Sequence, residues 1–358
     1  AGQLVALAVI ASLAPAGAAM LFLVADGQGR ILTQLRPDME RISWRFNEVG
    51  QVAWSLARTD EKLREEYVRF GNRVLIQFDN GLPAWGGVIG GGYEWGEASV
   101  GFLAFSGEAL LGWRRTGRRR RFDGVSVGNI ALALLAEAEG VWPVGVRPGR
   151  VWLGGPGHYP EYHYKSLEDV LRDSLVENLS AEAFDVSARE EAGRVVFELN
   201  LYEAKGATRD DVALVEGRNV SDVRFRVEDN IVNAWFMAGE GSDWGDSSRV
   251  YAEAVDEESV RLYGRREGFE VRSGVIYQST LDATIQRRLR ETAYPNRVLA
   301  LATTDDRPGR FGDYGVGDTL MCVLPSFDWG GVRGMYRVLG REFFPEHGVC
   351  DLVLEEAR

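Results

Sequence analysis

The chain has 358 residues, 45% of them hydrophobic and 26% charged, with a formal net charge of −12. That length predicts two or three domains, and the composition excludes a disordered or fibrous protein. The excess of negative charge argues against a general nucleic-acid binder, because phosphate contacts need a positive field.

From Leu4 to Ala25 there is no charged residue. The stretch is long enough for a membrane-spanning helix, but Pro15 and Gly17 interrupt it and no positive residue precedes it. We read Met20 as the opening of a first β-unit, with Met20 to Ala25 and Ile31 to Leu35 forming a hairpin about Asp26-Gly27-Gln28-Gly29. The role of residues 1–19 is not readable. Ile42, Trp44 and Phe46 then alternate with polar residues, Asn47 to Gly50 supplies turn chemistry, and Val52 and Trp54 return, which predicts a second hairpin. The charged connector Arg58 to Gly71, with Leu63, Tyr67 and Phe70 on one side, predicts a short surface helix. Val74, Ile76 and Phe78 alternate up to the turn signal Asp79-Asn80-Gly81, Trp85 to Ile89 comes back, and Tyr93, Trp95 and Val100 to Phe105 close the unit. Glycine at 43 and tryptophan at 10 suit such turn-rich β architecture. The expected first domain is a β-barrel over residues 20–110, with Trp44, Trp54 and Trp85 as core anchors.

Next comes a basic run flanked by Trp113 and Phe122, comprising Arg114, Arg115, Arg118, Arg119, Arg120 and Arg121. Such runs bind nucleic acid or another anionic surface, or pair with acidic neighbours as a solvated loop. In a chain this acidic we prefer the second reading, with the run as a candidate subunit or lumen contact. An α+β middle domain is expected over 111–211. Ser126 to Gly140 reads as a helix with a glycine stop, and Ser166 to Asp169 as the cap of another that carries Val170, Leu171, Leu175 and Leu179. Phe184 to Ala188 and Arg194 to Leu201 read as a strand pair. His158, Glu161 and His163 offer three metal-ligand types, but Pro160 breaks any helix and the spacing is not that of a zincin, so the reading is a polar loop with no metal.

A partial second copy follows within residues 212–358. Val223 to Val227 and Ile231 to Trp235 can be laid over Ile42 to Phe46 and Gln51 to Trp54, which makes Phe225 and Trp235 the second pair of core anchors. Gly317 to Val323 likewise resembles Gly71 to Gln77, with Gly334 to Gly340 as the return strand. A helical insert of about 242–310 separates the matches, its helix running from Thr280 to Tyr294 with Leu281, Ile285, Leu289 and Ala293 on one face. Cys322 and Cys350 read as buried thiols, a bond between them being left open. No phosphate loop, GxSxG elbow, HExxH or CxxC occurs, and local carboxylate clusters such as Asp256 to Glu258 follow from composition. Neither an enzyme nor a cofactor is expected.

Taken in order, Trp44 to Ala57, Gly71 to Ile89, Val215 to Gly241, Leu262 to Glu270 and Phe311 to Leu320 make the chain resemble the central hub proteins of long-tailed phage tips, contractile baseplates and related injection machines. That resemblance covers about residues 20–358. It implies an α+β, mainly β fold, with two similar antiparallel β-barrel domains flanking a small α+β insert domain. It also implies a homotrimer whose six barrels make a pseudo-sixfold ring at the distal end of the virion tail. The ring would join a hexameric tail-tube or distal-tail ring to a spike or fibre, with a tape-measure protein nearby, genome DNA passing through and no specific small molecule bound. Ending at Arg358, the chain is expected to lack the C-terminal lysin or fibre domain of some relatives. Two other readings stay open: a secreted or surface carbohydrate-active β-protein, lectin or glycosidase, using Trp95, Trp152 or Trp244 as sugar platforms, and a membrane-anchored β-protein using Leu4 to Ala25.

Overall fold

The computed structural model describes residues 20–141, 143–172, 181–241, 249–272 and 275–357. The apolar segment 1–19, Leu175, Leu179 and Trp244 lie outside the described residues. In chain order the first half contains β1 (Met20–Ala25), β2 (Ile31–Leu35), β3 (Asp38–Arg45), β4 (Gln51–Ala57), α1 (Glu65–Val68), β5 (Arg73–Phe78), β6 (Trp85–Trp95) and β7 (Ser99–Ser106). The middle contains α2 (Glu108–Gly112), β8 (Arg120–Arg121), α3 (Val127–Val141), β9 (Val146–Val151), β10 (Glu161–Tyr162), α4 (Leu167–Asp169), β11 (Ala183–Glu191) and β12 (Arg194–Tyr202). Then come β13 (Thr208–Val215), β14 (Val220–Glu228), β15 (Ala234–Ala238), β16 (Tyr251–Val255), α5 (Glu257–Tyr263), β17 (Glu267–Val271) and α6 (Gln278–Thr292). The chain finishes with β18 (Asn296–Thr304), β19 (Thr319–Leu324), β20 (Val332–Phe344) and β21 (Val349–Glu356).

The fold is α+β and mainly β. Strands from both ends of the chain form one 13-stranded sheet in the order β14-β18-β21-β20-β3-β4-β7-β6-β5-β1-β2, with β19 beside β20 and β13 beside β19. Its pairs are antiparallel except β13 with β19. One apolar cluster serves both ends, including Phe22, Trp54 and Trp85 from the first half and Leu299, Tyr336 and Leu354 from the last. A second cluster joins α2, α3 and the three-stranded sheet β11-β12-β9 to the back of β1, β5 and β6 through Ala25, Leu75 and Val88. The third sheet, β16-β15-β17, packs its own small core against α6 through Met237, Ala252, Leu281 and Ile285.

The internal repeat is visible in the topology. Strands β3, β4, β5, β6 and β7 lie in the order β3-β4-β7-β6-β5, and β14, β18, β19, β20 and β21 lie in the order β14-β18-β21-β20-β19. Corresponding ladders bulge at corresponding places, between Met39 and Arg41 and between Val220 and Asp222, then between Gly90 and Tyr93 and between Val338 and Gly340. Gly71 and Gly317 both have positive φ, where L side chains are strained. Each donates to the strand opposite, to Ile89 O at 2.9 Å and to Val338 O at 2.8 Å. Ile89 and Val338 in turn donate to Asn72 O and Asp318 O, both at 2.8 Å. Within the corresponding strands bulk has changed places: Trp85 folds over Gly87, whereas Tyr336 leans toward Gly334.

One part of the expected alignment is overturned. Ile231 to Trp235 is not the return strand of Val223 to Val227, because β14 pairs with β18, and β15 belongs to the small sheet with β16 and β17. The strand corresponding to Gln51–Ala57 is therefore Asn296–Thr304. The residues between β14 and β18 form an excursion over 229–295 with a sheet of its own as well as the expected helix. Its exit and re-entry are neighbours, since Glu228 is the register partner of Asn296.

Candidate assembly surfaces

Local pairing with nearby acids holds much of the arginine run against the middle unit. Arg114 donates from Nη2 to Ala138 O (3.1 Å), near the end of α3, and Arg115 from Nη1 to Tyr164 O (2.9 Å). Arg119 meets Glu161 at 3.0 Å, Arg120 meets Glu137 at 2.7 Å while lying over the Phe122 ring, and Arg121 meets Asp123 at 2.9 Å. Arg118 is exposed, and its carbonyl accepts from His163 Nδ1 at 2.8 Å. The Arg119 guanidinium holds the Glu161 carboxyl below its usual range. Most of these pairs face water, where each contributes little to stability.

The loop that carried the histidines separates them. His158 is buried, its backbone doubly bonded to Val125, and burial alone lowers its pKa to about 4. His163 lies on the exposed side between Arg118 and Glu161. Cys322 and Cys350 are both buried and unbonded, and burial pushes the Cys322 thiol up to about 12. Among the described residues no helix is long and apolar enough to cross a membrane.

The proposed anchors fall in three environments. Trp54 and Trp85 are fully buried in the large core, where Trp54 packs between Phe22 (5.3 Å between ring centroids) and Phe102 (5.7 Å). Trp44 and Phe225 are half-buried against the same core. Trp235 packs instead in the small core beside α6, with Nε1 donating to Thr292 Oγ1 at 2.8 Å. Of the two described candidate sugar platforms, Trp152 is half-buried against the middle core, and exposed Trp95 lies under Arg58.

Where the two halves meet, β20 runs on past β19 and pairs with β3: Gly340 faces Arg45, Arg341 faces Trp44, Glu342 faces Ser43 and Phe343 faces Ile42. Glu342 reaches Arg41 at 3.3 Å and Arg45 at 3.6 Å. Arg341 is buried and lies over the Trp44 and Tyr314 rings, and it donates to Tyr314 O and, at 2.7 Å, to Phe311 O. The sequence reading missed this seam. Its only local trace is Arg41 and Arg45, which share one face of an alternating strand. The middle unit is tied to the last strands by Arg337, which meets Glu182 at 2.7 Å and donates to Lys205 O at 2.9 Å. A cleft of about 540 Å³ opens there, lined by Lys205, Arg337, Glu291 and Glu356 among others.

Three solved structures share this arrangement. The 43 kDa tail protein of prophage MuSo2 from Shewanella oneidensis matches with a TM-score of 0.62 at 13% identity, over 95% of this chain and 98% of that one. The tail protein from Neisseria meningitidis MC58 gives 0.60 at 13%, over 94% and 96%. Prophage tail protein gp18 from Listeria monocytogenes EGD-e gives 0.58 at 13%, over 94% and 94%. No protein-family model matches the sequence, and no curated protein sequence matches it. The chain has the fold of phage tail proteins, shared along nearly its whole length.

Proposed function

We propose that this chain is a structural, non-enzymatic protein of a phage tail. It would act as a trimeric hub at the distal end of the virion that joins the sixfold tail tube or distal-tail ring to a spike or fibre. The observation that carries this reading is the five-strand order built twice in one chain. Three chains with two similar halves offer six similar faces, so a threefold assembly can meet a sixfold one through one kind of contact. The shared fold with three tail proteins supports the same reading. An acidic chain suits a conduit for DNA, because like charge keeps a passing duplex from adhering. Arg118 and Arg119, both exposed, are proposed to face a neighbouring subunit or the lumen. Sedimentation or mass measurement of the purified chain is expected to give three times the chain mass. A strictly monomeric species at high concentration would reject the hub.

A further inference from the structure

The seam inside the chain has a counterpart with one side missing. Aligning the buried residues Val100, Phe102 and Ala104 of β7 with Cys350, Leu352 and Leu354 of β21 sets the correspondence of the strands opposite them. Tyr93 then corresponds to Arg341, Glu94 to Glu342 and Trp95 to Phe343. The bulges of β3 and β14 likewise align Ile42 to Arg45 with Val223 to Arg226. The end of β20 is covered by β3. The end of β6, beyond its pairing with β5 at residues 85–88, has β7 on one side and, among the described residues, no strand on the other. At the far margin of the sheet β14 pairs with β18 and, among the described residues, with no other strand, its start alone being bridged to Glu216.

The side chains record the missing partner. Phe343, and Phe311 and Tyr314 in the connector beside it, are 2%, 1% and 3% exposed. In the first half Trp95, Tyr93 and the connector residue Phe70 are 59%, 56% and 54% exposed. They line a groove of about 270 Å³ with Leu63, Val68 and Phe102. Charge repeats on one side: Arg45 has its counterpart in Arg226, whereas the place of Arg41 is taken by Asp222 and a second arginine stands at 224. Glu342 sits opposite β3 between Arg41 and Arg45, and Glu94 occupies its place on β6. On β14 the residues corresponding to Ser43 and Arg45 are Arg224 and Arg226, both exposed, Arg226 being paired at 2.6 Å with Glu228 of its own strand. An open strand edge flanked by apolar side chains and a complementary charge is a template for strand addition.

We propose that copies of this chain join by repeating the internal seam. The end of β6 adds antiparallel to β14 of the next copy, with Tyr93 facing Phe225 of the partner subunit, Glu94 facing Arg224 of the partner subunit and Trp95 facing Val223 of the partner subunit. Each copy then offers one donor end and one acceptor strand at different places, a head-to-tail contact that closes into a ring. The proposal rests on the ring reading above and adds to it the strands that make the joint.

Residues facing each other in an antiparallel pair lie close enough for a disulfide, and the two natural thiols are buried. The test is the full chain carrying Glu94→Cys with Arg224→Cys, oxidised and run under denaturing conditions. Glu342→Cys with Ser43→Cys serves as the control that links within one chain. The expected result is covalent multimers up to the closed ring, which disappear in either single variant. A second arm reverses charge. Glu94→Arg is expected to shift the native mass from the ring to the single chain, and Arg224→Glu with Arg226→Glu to restore it. A ring of the expected mass with no cross-link and no response to charge reversal overturns this strand pairing and leaves the hub reading standing. Wild-type protein that stays monomeric at high concentration overturns both.

Discussion

Trp54 shows how a single side chain holds the sheet. It has no exposed surface, stacks on Phe102 of the neighbouring β7 and meets the tilted ring of Phe22 on β1, four places along the same sheet, so one ring ties strands that are not neighbours in the order. Truncation would remove a large apolar volume from a core that cannot collapse to fill it. We expect Trp54→Ala to lower the unfolding free energy by about 3–5 kcal/mol, measured by chemical denaturation. An unchanged midpoint would mean that the ring is not a core anchor. Arg73 anchors by other means: its guanidinium donates to the carbonyls of Gly27 in the β1–β2 turn and of Val144, Gly145 and Val195 in the middle unit, and it lies over the Phe197 ring, binding β5 to both. Glu108, buried at the same boundary, accepts from Val186 N at 2.8 Å, and burial raises its pKa.

Among the elements, the excursion over 229–295 is the most separable. It leaves the sheet after Glu228, re-enters at Asn296, and keeps its own core around Met237 and Ile285. It meets the middle unit at the Tyr159–Tyr277 pair, with hydroxyls 2.7 Å apart. Replacing 229–295 with a two-residue Asn-Gly turn is therefore expected to leave the β14–β18 ladder and the large core intact. Circular dichroism and the cooperativity of unfolding would report it, and loss of cooperative unfolding would show that the excursion is part of the main core. The same element explains what the sequence did and did not reveal. Alternation made β1 to β7 readable because each of the hairpins involved is closed by a short local turn. It marked Val223 to Val227 as a strand equally well, and placed that strand correctly against Ile42 to Phe46. What it could not supply was the partner: a strand's own alternation is silent about what lies beside it. The ten-residue spacing from Phe225 to Trp235 imitated a hairpin that the chain does not make. The Gly317 match held because a positive-φ glycine opening a strand is a backbone requirement, visible in one residue. For the seam, with ends separated by nearly the whole sequence, no local pattern could point to both sides.

Taken as a whole, the molecule is two strand sets fused at one line and braced by a middle unit. Its surface properties follow from which strand ends the fusion leaves uncovered. Arg341 is buried on the covered end, whereas aromatic residues stand in the open on the other. The two ends are thus alike in backbone and different in side chains, and a copy offered the wrong end would meet a cation where it needs a ring.

The seam also sets a timetable. Arg41 and Glu342 are separated by 301 positions, so in a growing chain β3 is complete long before the strand that covers it exists. Contacts between distant parts of a sequence close last and slowly, and edges left bare meanwhile pair with whatever is at hand. A neighbouring nascent chain carries the same β20. Two chains folding side by side can trade those strands and leave each half native in shape but borrowed in part. Crowded refolding should therefore yield interlocked dimers that dilution of the finished product does not release. The yield of the correct species should fall as chain concentration rises, which size-exclusion chromatography after refolding at a series of concentrations would measure.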